Sequence, residues 1–467
     1  MSTYEIVNPA TEQIVGEAPE APVDEVASAA AAASAAFGSW SRTTPEERAA
    51  LLDRAADVIR DHVEELIPLV QAETGATLRV TQTMQVPTCV DRFRRYARGA
   101  MEANVIPLPP SVMPSTALAS GGLMSAIAVR QPVGVVACIT PYNFPIVNMA
   151  GKLGPALAMG NTVVVKPAPQ DPLAVIRVVE LIQGVFPEGV VNVVTGSRPE
   201  VGEALVSSPD VDMVSFTGST VVGQRIGEVA GRGMKRLLLE LGGKGAAVVF
   251  DDADVKTAVS TIMSVWAFHS GQICTAPTRV IAQRGIYDQI VGGLQAAAGM
   301  LKVGDPLEPD TVVGPVISEP HRDRVESYIR AGADEGGTIV VGGERPDMSS
   351  GFYVAPTLIA DCKAGMKVVQ EEIFGPVVVV VPFDDEDEGV ALANGTEFGL
   401  YDYVFSADTA RAMRVARQLR SGNVGINTAQ RNHEAPFGGF KQSGVGRDGG
   451  SFGLHAYSEL QSIVWPG

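Results

Sequence analysis

Cysteine is scarce in this chain. The four residues, Cys89, Cys138, Cys274 and Cys362 in a length of 467, are too scattered for a disulfide framework, and none has CxxC or Cys/His spacing for zinc. Reduced thiols and no metal site are the expectation. Positive charge is also short: 36 Lys and Arg stand against 53 Asp and Glu, a net charge of −17, which argues against a nucleic-acid or anionic-membrane partner. The opening MSTYEIVNPATEQIVGEAPE has acids and prolines where a signal peptide carries a basic start and an apolar block, so a cytoplasmic location is expected. An uninterrupted apolar helix is missing as well. Residues 103–129 and 131–151 are uncharged and long enough to span a bilayer. The first contains Pro107, Pro109, Pro110, Pro114 and the Gly121-Gly122 pair, and the second Pro132, Asn143 and Pro145, so neither forms an unbroken helix. Buried strands and turns are expected there.

What is present is alternation. The length calls for two or three domains. The alanine-rich stretch VDEVASAAAAASAAFGSW has the acids-first pattern of a helix, and the acidic run Asp384 to Glu388 suits a solvated loop. From residue 133 onward, short β-branched runs (VGVVACI, TVVVKP, VNVVTG, VDMVSFTGS, AAVVF) alternate with helical stretches. A second series after residue 245 includes VVGGER, VVVVVPF and NVGIN. Such alternation predicts parallel sheets covered by helices, hence two α/β domains with a ligand cleft between them.

Four local patterns carry chemistry. In ITPYNFP, Asn143 follows an apolar strand and sits in a proline-braced turn, either as a turn residue or as an amide donor aimed at a developing oxyanion. In MVSFTGSTVVGQRIGEVA a strand enters Gly218-Ser219-Thr220 and Gly223 and then a helix. Such a helix start suits a pyrophosphate, although the spacing is not GxGxxG and a turn with no ligand is equally consistent. In LLLELGGKGA, Glu240 ends an apolar strand before Gly242-Gly243. Burial there raises its pKa and makes it a general base, unless it pairs with Lys244. In SGQICTAPTR, Cys274 is flanked by glycine and small hydroxyl residues, a setting for an accessible thiol nucleophile as well as for a space-filling cysteine. His269 lies close by and is expected to be structural.

Taken together, PYNFP, FTGST, LELGGK, GQICTAPTR, EEIFGPV (371–377) and PFGGFKQSGVGR (436–447), in this order along nearly the whole chain, resemble the aldehyde dehydrogenase superfamily. The resemblance implies a Rossmann-type cofactor domain (1–113 and 133–242), a catalytic domain (243–442) and a β oligomerisation arm (114–132 and 443–467) that assembles a homodimer or homotetramer. It implies NAD(P)-dependent oxidation of an aldehyde to its acid. Cys274 is then the nucleophile, Asn143 the oxyanion donor, Glu240 the base for water, and Lys152 a supporter of proton movement unless it is merely a solvated lysine. Lys166 is placed on the adenosine ribose, Ser219 near the pyrophosphate, Glu372 on the nicotinamide ribose and Phe374 by the ring. Thr140, Pro141, Gly218, Gly223 and Leu241 complete the cofactor set, and Phe437 and Gly151 line the substrate tunnel.

Two departures from the family pattern bear on specificity. The glutamate that NAD-preferring relatives often carry three residues after the lysine is Pro169 here, so NAD with NADP tolerated is the expectation. The tryptophan that narrows many tunnels is Gly151, which predicts a wider tunnel for bulky or aromatic aldehydes. A semialdehyde substrate ranks lower, for want of an identifiable arginine. The motifs are also compatible with a coenzyme-A-acylating enzyme, which has less use for Glu240, and with a catalytically silent relative. The roles of Asn432, His433 and Glu434, in the stretch before Phe437, stay open.

Overall fold

In the computed structural model, which describes residues 2–467, two largely parallel sheets carry the molecule. The first has six strands in the order Gly444–Val445, Arg236–Glu240, Met213–Thr217, Val135–Ile139, Thr162–Lys166 and Val191–Val193. Only its outermost pair is antiparallel. The strand Val135–Ile139 comes first in the chain and lies mid-sheet, with later strands added on both sides, so the order reverses between it and Met213–Thr217. In open α/β sheets that reversal opens a crevice at the carboxyl ends of the strands. Val135, Val136, Ala137 and Val163 to Val165 are all buried, as near-continuous apolar runs of a sheet covered on both faces should be. One face packs on a cluster containing Trp40, Leu52, Phe93 and Leu153, the other on Val26, Ala30, Leu205 and Ile226.

The second sheet has seven strands, ordered Thr338–Val341, Thr357–Ala360, Val377–Phe383, Arg279–Gln283, Ala246–Val249, Tyr401–Phe405 and Asn423–Ile426. Its edge strand Thr338–Val341 is antiparallel to its neighbour and the remaining pairs are parallel. The fold class is thus α/β with two α/β units, as the alternation predicts.

Three local expectations are corrected. The uncharged stretch 103–129 is not buried. Val105–Met113 is exposed along its whole length and Gly122–Pro132 is mostly half-buried, because the two pair with Ser458–Pro466 in a separate three-stranded sheet set apart from the two large ones. Pro107, Pro109 and Pro110 sit on its edge strand, where a missing N–H costs no ladder bond. This sheet begins at Val105, inside the segment 1–113 read as cofactor domain, while Gly444–Val445 of the tail joins the six-stranded sheet instead. In the second uncharged stretch the chain turns helical at Pro145, which occupies the first turn of the helix Pro145–Ala158, where its lost donor is harmless. The acidic run 384–388 starts a helix: the Asp385 side chain caps Glu386–Asn394 by accepting from Glu388 N, and carboxylates suit the positive helix start. Among the described residues no helix is long and apolar enough to cross a membrane.

Candidate active site

The two sheets meet at opposite ends. Thr140, Pro141 and Asn143 follow the carboxyl end of Val135–Ile139, Gly218 and Ser219 follow Met213–Thr217, and Glu240 closes Arg236–Glu240. From the second sheet come residues that precede strands: Gly243 before Ala246–Val249, Cys274 before Arg279–Gln283, and Glu372 and Phe374 before Val377–Phe383.

Asn143 is buried and tied to the loop that carries Cys274. Its Nδ2 donates to Gln272 O at 2.8 Å and its Oδ1 accepts from Phe144 N at 3.0 Å. Gln85 Nε2 donates to Asn143 O at 3.1 Å. One amide N–H is left for an oxyanion, on a side chain whose rotamer is fixed at both ends. The Cys274 loop has unusual backbone: His269, Ser270 and Gly271 have φ of 48°, 56° and 73°. A Cβ at 271 would strike the backbone of Gly375, so glycine is required where this loop crosses the Glu372–Phe374 segment. Phe374 is itself left-handed, with φ of 62°. Strain of this kind in non-glycine residues collects at functional sites. Cys274 is half-buried while the other three cysteines are buried. Burial first, then the charge of Glu372, pushes its thiol up to about 12, with Arg431 acting the other way. A thiol so shifted needs a proton acceptor before it attacks. His269 does not qualify. It is buried and driven down to about 4 by burial, with its ring against Phe144.

Glu240 is buried, and neither carboxyl oxygen has a hydrogen-bond partner. Burial, with Asp448 next, raises its pKa well above the usual carboxyl value, and Lys152, Arg447 and Arg431 oppose that shift. Lys244 is not its partner: Lys244 Nζ is unpartnered, and the carboxylates that act on it are Glu372 and Glu371. Nor is Lys152 solvated. It is 4% exposed, lowered by burial, and faces Asp448, Cys138 and Glu240. An unpaired buried carboxyl costs stability, and a group with raised pKa facing a thiol and an ammonium is the expected form of a general base.

The space left by the missing side chain at Gly151 is occupied. A Cβ at 151 would collide with Arg92 Nη1, so the guanidinium fills the space a larger residue would take. Arg92 donates to Val147 O at 3.1 Å and lies 3.8 Å from Asp448 Oδ2. Arg431 stacks 4.0 Å over the Phe437 ring, and its charge acts on Cys274, Glu240 and Arg92. Among the described residues Arg431 makes no ion pair. Glu434 is held elsewhere, with Arg95 Nε and Nη2 bound to its two oxygens at 2.5 and 2.7 Å. Asn432 Oδ1 accepts from Glu434 N at 3.0 Å and shapes the same loop. Sequence reading missed Arg92, Arg431 and Asp448, whose segments carry no motif of their own. Asp448 directly follows PFGGFKQSGVGR, and that adjacency is its one signal.

On the other side of the cleft, Ser219 caps the helix Thr220–Arg232 by accepting from Val222 N at 3.4 Å. Gly223 lets that helix approach Leu241, whose methyls a Cβ would strike. Gly218 N donates to Glu240 O at 3.1 Å, joining this turn to the base. Thr140 N donates to Lys166 O at 3.1 Å, and Thr140 Oγ1 is buried with no partner. Lys166 Nζ donates to Pro167 O and Gly196 O at 3.2 and 3.3 Å, and burial lowers it to about 8. Beside it Glu20, which sequence reading also missed, accepts from Ser197 N at 2.9 Å and Ser197 Oγ at 2.6 Å. Glu372 Oε1 accepts from Gly243 N at 2.8 Å, and Phe374 meets Tyr142 edge to face at 5.9 Å. Among the described residues no group of three or more His, Cys, Asp or Glu could hold a metal ion.

The family model described as the aldehyde dehydrogenase family matches residues 1–463. An aldehyde dehydrogenase of Emericella nidulans is 38% identical over 99% of this chain and 91% of its own length. A 2-hydroxymuconic semialdehyde dehydrogenase of a Pseudomonas strain is 39% identical over 99% of this chain and 95% of its own. The crystal structure of a Staphylococcus aureus betaine aldehyde dehydrogenase in complex with NAD+ superposes with a TM-score of 0.94 at 38% identity, covering 99% of this chain and 91% of that one.

Proposed function

Because the chain belongs to the aldehyde dehydrogenase family, we propose that it oxidises an aldehyde bearing a carboxylate to the corresponding diacid, with NAD as hydride acceptor. The observation that carries the substrate class is a pair of neighbouring guanidinium groups: Arg431, which has no ion pair among the described residues and whose charge acts on Cys274, and Arg92, whose charge acts on Arg431 and which has Asp448 3.8 Å away. Two like charges held together favour an anion between them, and charge-assisted hydrogen bonds from arginine are the strongest available. The same pair repels a quaternary ammonium. It also displaces the bulky-aldehyde reading, whose premise was open space at Gly151.

The cofactor assignment has its own support. The unpartnered Thr140 Oγ1, the capped helix start at Ser219, the close packing that Gly223 permits and the Lys166 ammonium suit a dinucleotide laid across the crevice. Pro141, Gly218 and Leu241 would line its site, Lys166 would hold the adenosine ribose, and Glu372 and Phe374 would hold the nicotinamide end. Position 169 offers no carboxylate against a 2′-phosphate, and Glu20 is already held by Ser197, so NADP is tolerated.

In this reading Cys274 loses its proton toward Glu240 or water and attacks the carbonyl carbon. The oxyanion is held by the free Asn143 N–H and the Cys274 backbone N–H. NAD, when bound, accepts the hydride from that carbon. A thioester is left on Cys274, and Glu240 takes a proton from the water that cleaves it, with Lys152 supporting the transfer and Phe437 and Gly151 bounding the substrate. The six-stranded half is the cofactor domain and the seven-stranded half the catalytic domain. The uncovered three-stranded sheet, with Leu460, Val464 and Val112 exposed, is an oligomerisation arm for a homodimer or homotetramer.

The test is the kcat/KM of matched aldehydes of equal length ending in carboxylate, methyl or trimethylammonium. The carboxylate is expected to lead the methyl by about tenfold or more, since a hydrogen bond to a charged group is worth about 1.5–3 kcal/mol. Equal efficiencies would remove the substrate assignment and leave the oxidation intact. A coenzyme A arm, expected to yield no acyl-CoA, tests for acylating chemistry.

A further inference from the structure

Behind the reacting groups Lys152 joins a second polar cluster whose hydroxyl members the mechanism above does not use. Ser215 stands in the middle of Met213–Thr217, between buried neighbours, and its side chain is fully buried. Its register partner on the adjacent strand is Cys138. Lys152 Nζ donates to Ser215 Oγ at 3.2 Å, and Ser215 Oγ shares a hydrogen bond with Tyr457 OH at 2.8 Å. Tyr457 is fully buried too. Its backbone is fastened to the far end of the Lys152 helix through Asn161, whose Nδ2 donates both to Tyr457 O at 2.9 Å and to Ala156 O at 3.0 Å.

A hydroxyl buried in an apolar strand costs free energy unless it is hydrogen-bonded, and these two hydroxyls are satisfied only by each other and by the ammonium. The Lys152 ammonium has three N–H groups, and Ser215 is its one hydrogen-bond partner. The remaining N–H groups are left for the acids that act on it, Asp448 and Glu240; Cys138 and Arg92 are the other charged or titratable groups facing it. Those facing Tyr457 are Cys138, Asp448 and Tyr96.

We propose that Ser215 and Tyr457 are positioning residues, a buried hydroxyl pair that sets the direction of the Lys152 ammonium so that it serves proton transfer during thioester hydrolysis. This rests on the reading of Lys152 given above. Neither hydroxyl touches substrate. Ser215 fixes one of the three N–H vectors, and Tyr457 fixes the Ser215 rotamer from the last residue before the strand Ser458–Pro466.

The test is the lifetime of the acyl-enzyme on Cys274, followed by acid quench and intact mass after a single turnover with a carboxylate-bearing aldehyde and NAD. Variants are Ser215→Ala, Tyr457→Phe, Lys152→Ala and the double Lys152→Ala/Ser215→Ala, with thermal unfolding as the check on folding. Ser215→Ala is expected to lengthen the lifetime about tenfold, the size of a lost hydrogen bond to a charged group, and Tyr457→Phe, which loses a bond between two neutral hydroxyls, about three- to fivefold, with the rate of thioester formation unchanged. Lys152→Ala is expected to lengthen it at least as much. In that background Ser215→Ala adds less than about twofold, the non-additivity of residues acting through one group. Parental lifetimes in both single hydroxyl variants, or a full second loss in the double variant, would overturn the proposal. A parental lifetime in Lys152→Ala would overturn the underlying reading of Lys152 instead. Tyr457→Phe keeps the ring and removes one oxygen, so it decides the matter if Ser215→Ala fails to fold.

Discussion

The six-stranded and the seven-stranded sheets supply the same cleft in different ways. The first presents Asn143, Ser219 and Glu240 at the carboxyl ends of strands, on turns that follow directly from regular structure. The second presents Cys274, Glu372 and Phe374 on loops that enter strands, held by left-handed backbone at His269, Ser270, Gly271 and Phe374. In the proposed mechanism the groups that steady charge and move protons thus sit on the rigid edge, and the proposed nucleophile sits on a loop braced by cross-contacts such as Asn143 Nδ2 to Gln272 O. If that division is correct, changes on the two sides interrupt different steps.

The largest effect is expected on the loop side. Cys274→Ala should abolish NAD reduction, a loss of at least about 10³-fold, because the proposed nucleophile is gone. Residual reduction within tenfold of the parent would break the comparison at its root. On the strand side, Glu240→Gln should reduce steady turnover by about 10²- to 10⁴-fold while one equivalent of NAD is still reduced rapidly. Rapid-quench kinetics would reveal the stalled thioester. The sign of the pH effect follows from the raised Glu240 pKa: the carboxyl becomes a base only as pH climbs through that raised value. Turnover in the parent should therefore rise with pH over a range where an ordinary carboxyl is already ionised, and the Gln variant should lose that rise. Asn143→Ala should slow both phases by about 10²- to 10³-fold, the usual cost of an oxyanion donor. A selective loss in one phase would show that it serves only that step.

Smaller effects sharpen the comparison at the tunnel, where the two sides meet. Arg431→Ala and Arg92→Ala should each lower kcat/KM for a carboxylate-bearing aldehyde by about ten- to a hundredfold, and for an uncharged one of equal length by less than about threefold. Arg92 comes from a helix of the six-stranded half and Arg431 from a loop after the last strand of the seven-stranded sheet, so equal losses would show the halves sharing one anion. The smallest effect concerns stability. Asp171 and Glu73 are buried in the six-stranded half, and burial raises both, Glu73 to about 8. A raised carboxyl pKa means that the folded form keeps a proton the unfolded form loses. Stability is then greatest below the unfolded value and falls as pH rises from about 4.5 toward 8. Asp171→Asn should flatten that fall in melting temperature by a few degrees, while activity per folded molecule stays unchanged. Identical slopes would contradict the assignment.

What the sequence made legible divides along the same line. Cys274, Glu240 and Asn143 sit in short segments whose glycines and prolines announce turns and loops beside strands, so their placement is readable locally and their proposed roles come from the order of the motifs along the chain. The parallel sheets are readable because β-branched runs buried on both faces leave an unmistakable pattern. Arg92, Arg431, Asp448, Ser215 and Tyr457 act only through contacts across long stretches of chain, as in the meeting of Ser215 and Tyr457, and their surroundings carry no signature. What occupies the space at Gly151 is illegible for the same reason: a missing side chain at one position says nothing of the Arg92 guanidinium that folds into its place. The apolar content of 103–129 suggests burial, but apolar content is equally what a surface awaiting another copy displays.

The most direct test of the account is NAD reduction by the full-length protein with the three matched aldehydes, carried out on the parent and on Cys274→Ala. The account predicts that the parent prefers the carboxylate over the methyl by about tenfold or more and uses the trimethylammonium least, and that the variant reduces NAD with none of them. A parent that uses the trimethylammonium aldehyde as well as the carboxylate, or a Cys274→Ala protein that still reduces NAD, would contradict it.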